Sequence, residues 1–70
     1  MLRKYRVRVE DIAYVRAVLE GYDGVATLEG EPNFGEIVWT IGDGLEEEAD
    51  EIAARLAVEV GLQPVFLRRS

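Results

Sequence analysis

The chain has 70 residues, a formal net charge of −6, 49% hydrophobic and 31% charged residues, and neither cysteine nor histidine. This length suits one core and a single domain over residues 1–70, and the apolar share is that of a folding chain rather than a disordered one. The missing residue types exclude disulfides, thiol chemistry, imidazole acid–base catalysis and the usual zinc sites, while the acidity disfavours nucleic acid as a partner.

No apolar run is long enough to span a membrane, and Arg3, Lys4 and Arg6 fall where a signal peptide would have its apolar stretch. A cytoplasmic protein without a membrane partner is expected. Leu2 to Val9 alternates, with Tyr5, Val7 and Val9 on one face and Lys4, Arg6 and Arg8 on the other, as a half-buried first strand requires. From Asp11 to Tyr22, Ile12, Val15, Val18, Leu19 and Tyr22 recur at helical spacing. Glu10 and Asp11 supply negative charge at the start, and Gly21 or Gly24 can end the helix.

Val25 to Glu29 and Gly35 to Ile41 read as strands two and three, joined by the hairpin loop Gly30-Glu31-Pro32-Asn33-Phe34. Asp43 lies three residues before Glu46, the spacing of a capping pair, so a second helix is expected to start there. Its stripe of Leu45, Ala49, Ile52, Ala53, Leu56 and Val60 faces inward, while Glu46, Glu47, Glu48, Asp50, Glu51, Arg55 and Glu59 face outward. Gly61 ends it. Gln63 to Arg68 closes the chain as a strand, with Pro64 tolerated near its start or at an edge.

Two β-α-β units joined by a hairpin, with right-handed crossovers, define a ferredoxin-like βαββαβ fold of the α+β class. The expected sheet is four-stranded and antiparallel, in order 4-1-3-2, with both helices on the face bearing Tyr5, Val7, Val9, Ile37, Trp39 and Ile41. Lys4, Arg6, Arg8, Glu36, Val38 and Thr40 are left on the open face.

Four constellations invite a functional reading, each beside a plainer one. Glu10, Asp11, Glu29, Glu31 and Glu36 should gather at one end of the sheet. Solvated surface is the plainer reading, since no loop has calcium-ligand spacing. Gly42-Asp43-Gly44, near Lys4, Arg68 and Arg69, could offer helix amides to an anion, but Asp43 should occupy those amides itself and no GxxxxGK loop is present. Lys4, Arg6 and Arg8 should pair with Glu36 across strands, and the outward central positions are Arg and Thr rather than the aromatics that RNA-binding sheets use. Trp39, Tyr5, Tyr14 and Tyr22 read as packing residues rather than an aromatic pocket, with Tyr14 off the helical stripe.

The run Asp11-Ile12-Ala13-Tyr14-Val15, followed by Leu19-Glu20-Gly21-Tyr22-Asp23-Gly24 and the acidic second helix, resembles the short bacterial proteins called domain of unknown function 4911. That resemblance covers nearly the whole chain, implies a compact bacterial cytosolic domain and carries no catalytic residue with it. The topology is also similar to that of ACT domains, which bind amino acids or other small effectors at subunit interfaces. The glycine those domains carry before helix one is replaced here by Val9-Glu10-Asp11-Ile12. Acylphosphatases and heavy-metal-binding domains share the topology too, but the phosphate loop of the first and the cysteine pair of the second are missing.

The resulting expectation is a non-enzymatic interaction or regulatory module, homodimeric or bound to another protein, with no cofactor or metal. A small-metabolite sensor of the ACT type is the alternative. The residues expected to serve a ligand or an interface are Glu10, Asp11, Tyr14, Arg6, Arg8 and Val38.

Overall fold

A computed structural model of the protein describes residues 1–31 and 35–65, apart from the side chain of residue 31. The elements run β1 (Leu2–Arg6), α1 (Ile12–Glu20), β2 (Ala26–Glu31), β3 (Glu36–Ile41), α2 (Glu46–Val60) and β4 (Gln63–Pro64), with a single 3-10 turn at Val9–Asp11 leading into α1. The four strands form one antiparallel sheet in the order β2-β3-β1-β4, the expected order read from its other edge. The tip of the hairpin, and the part of the expected fourth strand beyond Val65, lie outside the described residues.

Alternation decides which face of the sheet is buried. Tyr5, Val7, Ile37, Trp39 and Ile41 are buried with Val15 and Leu19 of α1 and Ala49, Ile52 and Leu56 of α2 in one cluster, which places both helices on the same face. Tyr5 and Trp39 are neighbours within it, ring centroids 4.5 Å apart and tilted by 47°. Leu28, opposite Trp39 in β2, is packed against this cluster, and Leu62, ahead of β4, is buried within it. No charged or polar residue is buried among the described residues, so the interior is held by apolar packing alone.

Three expectations are corrected. β1 ends at Arg6 rather than running to Val9, because its neighbour β3 begins only at Glu36. The amide of Val7 still reaches the carbonyl of Gly35 at 2.8 Å, but beyond that point the Asp11 amide turns back to the Arg8 carbonyl at 2.9 Å and starts the 3-10 turn. Val9 is therefore 47% exposed instead of lying in the core.

Asp43 does not cap α2. The Leu45 amide bonds to the Gly42 carbonyl at 3.1 Å across a turn in which Gly44 is left-handed, so the helix starts two residues later than the cap spacing suggests. Its first turn is served instead by Glu46, Glu47 and Glu48, whose charges oppose the positive end of the helix dipole. Asp50, expected to point away, pairs with Arg3 of β1 while staying half-exposed. At the other end of α2, Gly61 takes the left-handed conformation at φ 71°, as the sequence indicates.

Candidate interaction surface

The face of the sheet opposite the helices is built by the even positions of β1 and β3. Leu2 stands opposite Thr40, Lys4 opposite Val38 and Arg6 opposite Glu36. On the other side of β3, Thr27 stands opposite Thr40 and Glu29 opposite Val38, so each row of side chains runs across three strands. Leu2 is 68% exposed and Val38 is half-buried, giving the face a small apolar centre among charges.

Glu36 is the electrostatic focus of this face. Arg6 donates to Oε2 at 2.9 Å and Lys4 lies 3.1 Å from Oε1, so each carboxylate oxygen has its own cation. The hydrogen bond from Arg6, followed by that from Lys4, holds the Glu36 carboxyl below the usual carboxylate range. As expected, this is cross-strand pairing, and being exposed it contributes little to stability by itself.

The other residues singled out from the sequence disperse. Arg8 leaves the sheet. Its Nε lies 3.1 Å from Asp11 Oδ2 and 3.7 Å from Glu10 Oε1, so Arg8, Glu10 and Asp11 form a local ion cluster around the 3-10 turn. That Arg8 does not join Lys4 and Arg6 corrects the expected three-residue basic stripe. Tyr14 points elsewhere, donating its hydroxyl to Glu59 of α2 at 2.8 Å.

The expected gathering of Glu10, Asp11, Glu29, Glu31 and Glu36 is not found as a metal site. Among the described residues, no three carboxylates converge in a way that could hold an ion. Nor does Asp43 give the second candidate site its cap, and Arg68 and Arg69 lie outside the described residues. Tyr22, read as a packing residue, is 39% exposed and accepts a hydrogen bond from Arg55.

Two recesses stand out among the described residues. One, of about 680 Å³, lies beside the 3-10 turn, where Arg6, Arg8, Gly35, Glu59 and Gly61 contribute to its wall. The other, of about 940 Å³, runs between β1 and α2 over Tyr5, Ala53, Ala54, Ala57, Leu62 and Val65 and is mainly apolar. The sequence reading missed this second recess, although the alanines at positions 53, 54 and 57 were a signal that one side of α2 leaves space.

Comparison with family models, curated proteins and solved structures finds no match to this chain. No helix among the described residues is long and apolar enough to cross a membrane.

Proposed function

We propose that the chain is a non-enzymatic interaction or regulatory module of ferredoxin-like architecture, cytoplasmic and homodimeric. The observation that carries this reading is the open sheet face, where exposed Leu2 and half-buried Val38 sit among Lys4, Arg6, Glu29 and Glu36. A surface combining apolar contact with both signs of charge suits a protein partner, and a chain this small gains stability by covering such a face. The likeness to domain of unknown function 4911 fits this reading and supplies no activity to transfer. Sedimentation velocity over a wide concentration range tests the proposal. A sedimentation coefficient that rises with concentration supports self-association, and one that stays constant at the monomer value overturns it.

A second reading, sensing of an amino acid or similar metabolite, is favoured by the recess walled by Arg6, Arg8 and Glu59, which offers both charge signs to a zwitterion. It requires thermal stabilisation by some member of an amino-acid panel, because a ligand bound only to the folded form raises stability. A panel without any shift removes it.

A further inference from the structure

We infer that the open sheet face is a two-fold interface between two copies of this chain, with the symmetry axis parallel to the strands and above β3. This rests on the self-association reading and adds to it the surface and the symmetry.

The register supplies the argument. Glu29, Val38 and Lys4 form one row across β2, β3 and β1. Strands lie about 4.8 Å apart, so Glu29 and Lys4 of one chain are roughly 10 Å from each other, too far for a direct ion pair. Among the described residues Glu29 has no cation partner, while Lys4 and Arg6 share the single charge of Glu36. The face therefore has a negative column at β2 and a net positive column at β1, with Val38 between them.

Two sheets meeting face to face can be related by a two-fold axis across the strands or along them. An axis across the strands lays β1 over β1 and β2 over β2, setting cation on cation and carboxylate on carboxylate. An axis along the strands above β3 preserves each row and exchanges its ends. Glu29 then lies over Lys4 of the second copy, Lys4 lies over Glu29 of the second copy, and Val38 meets its own image. Thr27 covers the exposed Leu2 by the same operation. Glu36 also meets its image, but each copy keeps its own Arg6 at 2.9 Å, which balances its charge while Lys4 faces the second copy. Charge complementarity thus selects the axis along β3.

Three strands of five or six residues cover roughly 14 by 20 Å, which falls short of the ~800 Å² per partner of a standard interface. The association is accordingly weak and sensitive to salt.

The test uses Lys4→Glu and Glu29→Lys, alone, mixed, and combined in one chain, with dimerisation followed by sedimentation and folding checked by circular dichroism. Each single variant should weaken self-association at least tenfold, since each sets like charges against each other. An equimolar mixture should form a heterodimer at least as tight as the wild-type dimer, and the combined variant should again form a homodimer. If wild type dimerises but the single variants are unaffected, or neither the mixture nor the combined variant restores association, this surface is wrong while self-association stands. If wild type is monomeric throughout, the self-association reading fails, and this proposal with it.

Discussion

The Tyr14 hydroxyl of α1 donates to Glu59 Oε1 of α2 at 2.8 Å, joining residues 45 apart in the chain. Arg55, one turn earlier on α2, holds the other oxygen of Glu59 at 3.1 Å and also donates to the Tyr22 hydroxyl, just past the end of α1, at 3.1 Å. The outer surface of the helix layer is thus stitched at both ends of α1. Glu59 serves Tyr14 and Arg55 together. Glu59→Ala should therefore lower the melting temperature more than Tyr14→Phe, and the double variant should lose less than the sum of the two. Thermal melts of the three variants check this, and additive losses would show that the two contacts act separately.

Stability should fall on both limbs of the pH profile for reasons the ion pairs make explicit. Glu36 and Glu59 are held below their ordinary value of 4.5, the first by Arg6 and then Lys4, the second by Tyr14 and then Arg55. A depressed folded-state value means stability that is present above 4.5 and lost as the pH falls through the folded-state values. Tyr14 is raised above 10.0, mainly by its bond to Glu59, so its contribution is present below that value and lost as the pH climbs through the folded-state value. Urea titrations across the pH range should show a shallower acid limb for a Glu36→Gln, Glu59→Gln chain than for wild type. An unchanged acid limb would assign acid sensitivity to other carboxylates.

Trp39 is fully buried against Tyr5, yet its indole Nε1 has no hydrogen-bond partner among the described residues. An unsatisfied buried donor costs about 1–3 kcal/mol, so Trp39→Phe loses packing volume but relieves that cost. Leu56→Ala, at an equally buried site, loses packing with no such relief and should cost about 2–5 kcal/mol. In urea unfolding, Trp39→Phe should be the milder of the two. A loss equal to or larger than that of Leu56→Ala would mean that the packing lost around the indole outweighs the relief of its unpaired N–H.

Gly35 and Gly61 are both left-handed, at φ 67° and 71°, but only Gly35 is crowded. A Cβ there would lie 2.5 Å from the Val7 carbonyl oxygen, whereas one at Gly61 meets nothing within 4 Å. Gly61→Ala should cost the roughly 1–2 kcal/mol of left-handed backbone strain alone. Gly35→Ala should cost clearly more, because it also disrupts the bond closing β1 onto β3. Equal losses in denaturant unfolding would show that the Gly35 turn relaxes freely.

The elements most legible in the sequence are those whose pattern is local. The alternation of Ile37, Val38, Trp39, Thr40 and Ile41 and the stripe from Leu45 to Val60 each announce their buried face, and the sheet order follows from connecting them. Two features depend on a neighbour that periodicity does not reveal. Arg8 and Val9 continue the alternation perfectly, but β3 ends its pairing at Gly35 and the chain turns. The spacing of Asp43 and Glu46 matches a cap, but Gly44 places a turn between them. The Tyr14–Glu59 bond joins the two helices across the tertiary fold, which is why Tyr14 lies off the apolar stripe of its own helix. Lys4, Arg6 and Val38 were readable as surface residues, whereas the row linking Lys4 to Glu29 emerged only with the register.

Self-association through the open sheet face is tested most directly by the solution mass, measured by light scattering at low ionic strength across a concentration series. A self-associating sheet face should give a mass that rises from the 7.9 kDa of one chain towards twice that value and falls back when salt is added. A mass fixed at 7.9 kDa at every concentration and salt level would contradict it.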